Sequence, residues 1–77
     1  MSTRGLNTAL KRIGAALSEL RQKKGYSSIK EFAEDHHLSL IQYWRIEKGK
    51  ANITIKTLTN LLAIHKVGID DFFCMMI

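Results

Sequence analysis

The sequence predicts an all-α protein, a compact bundle of five helices. Three observations lead there. Apolar residues recur at spacings of three and four, the period of a helix, and nothing reads as a strand. The chain has no proline, so no helix is broken from within. Glycines and short capping side chains supply the punctuation instead, and they divide the chain into five helical pieces.

The first helix carries Leu6, Leu10, Ile13, Leu17 and Leu20 as one apolar stripe. It ends at Lys23-Lys24-Gly25, where cations suit the negative helix end and glycine accepts a left-handed stop. The second opens at Ser28 with Glu31 three residues on, a capping-box pattern, and lines Ile29, Phe32, Ala33 and His36 on one face. The third opens at Ser39 with Gln42 in the same relation, runs from Leu40 to Glu47 and stops at Gly49. Only His37 and Leu38 separate these two short helices. A connection that tight forbids antiparallel packing, so the pair crosses at a wide angle, the geometry of a helix-turn-helix embedded in the bundle. Thr54 caps a fourth helix with Ile55, Leu58, Leu61, Leu62 and His65 inward, and Gly68 bends the chain into a last turn from Ile69 to Phe73.

Seventy-seven residues make a single domain, 1–77. A chain this short buries about 60% of the surface its unfolded form exposes. Cys74 is the only cysteine, so no intrachain disulfide staples it, and a lone thiol fits a reducing cytosol. Ligand spacings for zinc are missing, and the adjacent His36 and His37 point in different directions, so no metal and no cofactor are expected. No glycine-rich phosphate loop and no nucleophile beside a base can be found, which argues against an enzyme; no catalytic residue and no small-molecule ligand are expected. The start of the chain has no apolar core for a signal peptide, and the longest apolar run, Phe72 to Ile77, is too short for a bilayer, so a cytoplasmic protein without membrane contact is expected. Cys74-Met75-Met76-Ile77 formally matches a prenylation signal, but its last residue is atypical and the residues before it are acidic and aromatic. Asn52-Ile53-Thr54 matches a glycosylation sequon that has no meaning without secretion.

The net charge is +5 and unevenly spread. Residues 1–56 hold eleven basic and five acidic side chains, whereas residues 57–77 hold Lys66 against Asp70 and Asp71. That is a footprint for a polyanion in the first three-quarters of the chain.

Phe32-Ala33-Glu34, Leu38-Ser39 and Arg45-Ile46-Glu47-Lys48-Gly49, followed by Asn52 to Leu58 and Val67 to Phe73, come in the order seen in one family. Over about residues 10–73 the chain resembles the lambda-repressor-like helix-turn-helix domains of Cro and phage-repressor type. The resemblance implies a bacterial or phage-like transcriptional regulator that binds double-stranded DNA sequence-specifically, with a recognition helix at about 39–48. It implies base reading by Ser39, Leu40, Ile41, Trp44 and Arg45. Phosphate contacts would come from Ser28, Lys30, Gln42, Lys48, Lys50 and Asn52, and Arg21 would pair with Glu47 to tie the recognition helix to the scaffold. Departures are a loop, Gly25 to Ser28, one residue longer than usual; His37 where the family prefers glycine; Ile53 for a common proline; and His65 at an apolar position, expected half-buried.

Three of the groove-facing residues are large and apolar, so two outcomes stay open: contact with DNA, where Arg45 bonds guanine and apolar groups pack on thymine methyls, or contact with a protein. Within the family, the antitoxin of a toxin–antitoxin pair is the alternative to a regulator; outside it, an interaction module that has lost DNA binding. The six apolar residues Phe72 to Ile77 cannot all face a small core, and a homodimer through the C-terminal helices is expected from them.

Overall fold

A side chain that takes up the first free N–H groups starts three of the helices, and one repeated hydrogen-bond pattern ends four of them. The computed structural model describes residues 3–76; Ile77, the last of the apolar run, lies outside the described residues. The helices are α1 (Thr3–Lys23), α2 (Ile29–Asp35), α3 (Leu40–Glu47), α4 (Ile55–Ile64) and α5 (Ile69–Met75), and no strand occurs among the described residues.

The oxygens of Ser28, Ser39 and Thr54 accept the N–H groups of Glu31, Gln42 and Thr57. Each such cap is worth about 1 kcal/mol against alanine. Gly68 caps α5 without a side chain, and Asp70 and Asp71 in its first turn complement the positive helix end instead.

At the C-terminal end of α1, the N–H of Tyr26 reaches the Arg21 carbonyl and that of Gly25 the Gln22 carbonyl. The same two-bond pattern closes α2 (Leu38 to Ala33, His37 to Glu34), α3 (Lys50 to Arg45, Gly49 to Ile46) and α4 (Val67 to Leu62, Lys66 to Ala63). This is the Schellman motif, which requires a left-handed residue just past the helix. Gly25 and Gly49 fill that place in α1 and α3, with φ of 105° and 70°. His37 and Lys66 fill it in α2 and α4, both at φ 57°. The His37 departure thus keeps the left-handed turn that glycine would have given.

The core joins Leu17 and Leu20 of α1, Phe32 of α2, Tyr43 of α3, Leu58, Leu61 and Leu62 of α4 and Phe72 of α5. Phe32, Leu17, Leu62 and Phe72 are fully buried, and each such side chain contributes about 1.5–3 kcal/mol. Together they make a compact globule of 36 × 25 × 21 Å. Ala33 is buried as well, which leaves room for α2 against α3.

Three expectations need correction. Ile55 was expected inward but is 64% exposed, and Leu6 at the start of the α1 stripe is also exposed. Both sit in a first turn, where side chains lean toward the helix N-terminus and so past the end of the element that would cover them. The last helix runs to Met75, two residues beyond Phe73, because Met76 packs on the core and its carbonyl accepts the Arg12 guanidinium at 2.8 Å.

Candidate nucleic-acid interface

The position of α3 is fixed from beneath. Gly14, buried in the middle of α1, allows α3 to approach so closely that a Cβ there would fall on the carbonyl oxygens of Ile46 and Glu47. Gly49 makes a second close contact, since its added Cβ would lie 2.7 Å from the Lys11 side chain. Two turns further along α1, Arg21 Nε donates to Glu47 Oε2 at 2.8 Å and Arg21 Nη2 to Glu47 Oε1 at 3.2 Å, with both side chains buried. Arg21 Nη1 also donates to the Tyr26 carbonyl at 2.7 Å. The Glu47 carboxylate holds the guanidinium pKa above its ordinary value. Burial, and then the same carboxylate, push the Tyr43 phenol far up, so it stays neutral. Gly14 had a signal in the sequence, a glycine inside an amphipathic pattern, which marks close packing.

With its inner side so held, α3 turns Leu40, Ile41, Trp44 and Arg45 outward, and Lys48 follows at the cap. Leu40 is 42%, Ile41 73% and Trp44 39% exposed. Tyr43 and Ile46 pack inward beside Leu38. Ser39 is exposed, but its oxygen already accepts the Gln42 N–H at 3.4 Å. Arg45 donates from Nη2 to the Lys50 carbonyl at 3.1 Å, and the Lys50 ammonium lies 5.2 Å from the centre of the Trp44 ring.

The residues expected to hold phosphate fall into two groups. Gln42 and Asn52 line one groove of about 270 Å³ together with Arg45, expected to read bases, and with Ala51, Thr54 and Thr57. Arg45, Lys50 and Asn52 also line a second groove, of about 560 Å³, whose other wall is Leu6, Asn7 and Leu10 of α1. Arg45 therefore stands between two grooves, and Asn7 and Thr57 join the set unannounced by any sequence pattern. Ser28 and Lys30 lie on another element, at the opening of α2; Ser28 is half-buried with its oxygen on the Glu31 N–H at 3.3 Å, and Lys30 is exposed.

The exposed charge from the end of α2 to the start of α5 has one sign, whereas α2 itself carries the exposed carboxylates Glu31, Glu34 and Asp35. From His36 to Ile69 the exposed charged side chains are Arg45, Lys48, Lys50, Lys56 and Lys66. The only carboxylate in that stretch is Glu47, buried against Arg21. His36 and His65 stand apart from this surface chemistry. The His65 ring stacks on Phe32 at 5.5 Å with 4° between planes, and His36 lies 4.7 Å from the same ring. Among the described residues no group of three or more His, Cys, Asp or Glu is placed to hold a metal ion, and no helix is long and apolar enough to cross a membrane. No family model, curated protein or solved structure matches the chain.

Proposed function

We propose that the chain is a sequence-specific double-stranded-DNA-binding transcription regulator working in the cytoplasm, in which α2 and α3 form a helix-turn-helix and α3 enters the major groove. The observation that carries this is the outward face of α3: anchored from beneath by Arg21 and Glu47, it carries Arg45, is followed by Lys48 and Lys50, and has no exposed carboxylate of its own. A duplex offers a dense row of negative charge around a groove about as wide as a helix. In this role Ser39, Leu40, Ile41, Trp44 and Arg45 meet base edges, while Ser28, Lys30, Gln42, Lys48, Lys50 and Asn52 meet the backbone. The chain performs no catalytic step and needs no cofactor.

A two-fold dimer through α5 completes the proposal. Phe73 and Met75 are exposed on α5 while Phe72 is buried, and α4 and α5 carry the least basic part of the chain. Two copies meeting there would present their α3 helices about 34–36 Å apart, one turn of duplex. The apolar side chains of α3 favour one other role, an interaction module whose α3 faces a protein.

Mobility shift against a random duplex pool at several salt concentrations separates the two. About four phosphate contacts per subunit, about eight for the dimer, give a slope near −7 in log affinity against log salt. Retained duplex with a steep slope supports the DNA role; no retained duplex at low salt contradicts it and leaves the protein-facing module.

A further inference from the structure

Resting on the DNA-binding role above, we infer that α3 chooses its site chiefly by apolar contact with methyl groups at C5 of pyrimidines, so that the preferred duplex places thymine where Leu40, Ile41 and Trp44 meet it.

The hydrogen-bonding capacity of this face is partly engaged within the protein. Ser39 Oγ accepts the Gln42 N–H, and one Arg45 nitrogen is held by the Lys50 carbonyl. Leu40 and Ile41 are exposed with no such engagement, and Ile41, at 73% exposed, touches little of its own chain, while Trp44 carries the Lys50 ammonium 5.2 Å from its ring centre and is 39% exposed. The largest apolar group on the base-pair edges of the major groove is the C5-methyl of thymine, where cytosine has only a hydrogen. An apolar surface entering that groove gains energy only where it covers such methyls, and it loses energy where it covers polar edges that it cannot bond. Charge favours an anionic occupant, which in the DNA-binding role is the duplex. The exposed charges flanking the apolar patch are Arg45, Lys48 and Lys50, all positive, and the neighbouring Glu47 is buried in its pair. A ligand that carries methyl groups between rows of anions fits this arrangement. Cytosine methylated at C5 presents the same group at the same edge and is read in the same way.

The test begins with the full chain and a duplex taken from the retained fraction of a random pool. Each thymine is then replaced by deoxyuridine, which removes the methyl and leaves every phosphate and base-pairing group in place. We expect binding on the order of fourfold weaker for each contacted methyl, the effect of one buried methyl-sized group. At those positions 5-methylcytosine should bind more tightly than cytosine. Ile41→Ala, at a position too exposed to disturb folding, should abolish the thymine–deoxyuridine difference at one position and leave the others. An all-deoxyuridine duplex bound as tightly as its thymine parent overturns the inference and leaves the DNA role standing. A pool from which no duplex is retained overturns both.

Discussion

Arg21 and Glu47, 26 positions apart in the chain, meet in a buried two-bond ion pair that joins the C-terminal part of α1 to the last residue of α3. The pair does two things at once. It satisfies the side chain that ends α3, and it neutralises the one carboxylate between His36 and Ile69. The exposed charges of that stretch are therefore all positive.

Glu47→Ala should cost about 3–5 kcal/mol, because it leaves the Arg21 guanidinium buried without its partner. Replacing both residues together, Arg21→Met with Glu47→Leu, should recover much of that loss, since an apolar pair needs no desolvated charge. Urea unfolding of the three proteins measures this. A loss below about 1 kcal/mol for the single variant would mean that α3 is held by packing alone.

His37 and Lys66 both hold the left-handed place that glycine fills at Gly25 and Gly49. His37→Gly and Lys66→Gly should each stabilise the fold by up to about 1 kcal/mol, relief of left-handed strain less the added freedom of the unfolded chain. Gly25→Ala should do the reverse, and cleanly, since nothing lies within 4 Å of the added Cβ. Thermal melts give the sign directly. A lower Tm for both glycine variants would show that those side chains contribute more by packing than their backbones lose by strain.

The His65 pKa lies below the ordinary histidine value, first because the ring is buried against Phe32, then because Lys24 and His36 repel its charge. The folded state therefore takes up the proton less readily than the unfolded state. Stability is complete above the unfolded value of about 6.5 and declines as pH falls through that value toward the depressed folded one. His65→Leu should remove this part of the decline. Melts between pH 7.5 and pH 5 test it, and identical acid slopes for the two proteins would contradict the assignment.

Phe73 and Met75 are exposed on a seven-residue helix whose neighbour Phe72 is fully buried. Phe73→Lys with Met75→Lys should convert a dimer into a folded monomer, because neither side chain belongs to the core cluster. Sedimentation at tens of micromolar reads the difference. A native chain that sediments as a monomer would contradict the dimer.

Most of the helix boundaries were legible because they rest on local chemistry. Ser28 and Ser39 cap where their spacing to Glu31 and Gln42 says they should, Thr54 caps α4 as its residue type suggests, and Gly25 and Gly49 stop α1 and α3. What stayed hidden depends on partners far away in the chain. Nothing local marks Lys66 as left-handed, since lysine has no special liking for that region; the motif forced it there. Tyr26 reads as a loop residue, yet it packs at 76° against Phe32 and bonds Asp35 through its hydroxyl at 2.8 Å, which gives the long Gly25–Ser28 loop a structural use. Periodicity also failed at helix starts, as at Ile55, because a repeat says which side a residue is on but not whether any neighbour reaches that far. The outward set of α3 was legible from its sequence, whereas the grooves that Arg45 shares with Asn7 and Thr57 depend on how α1 and α4 lie beside it.

The central claim, that α3 reads duplex DNA, is tested most directly by selecting bound sequences from a random pool with the native chain and with Arg45→Ala. The account predicts a near-palindromic motif for the native chain. For Arg45→Ala it predicts the same motif with preference relaxed at one base position per half-site and specific affinity reduced by about 1–3 kcal/mol. No enriched motif for the native chain, or an identical motif from both proteins, would contradict it.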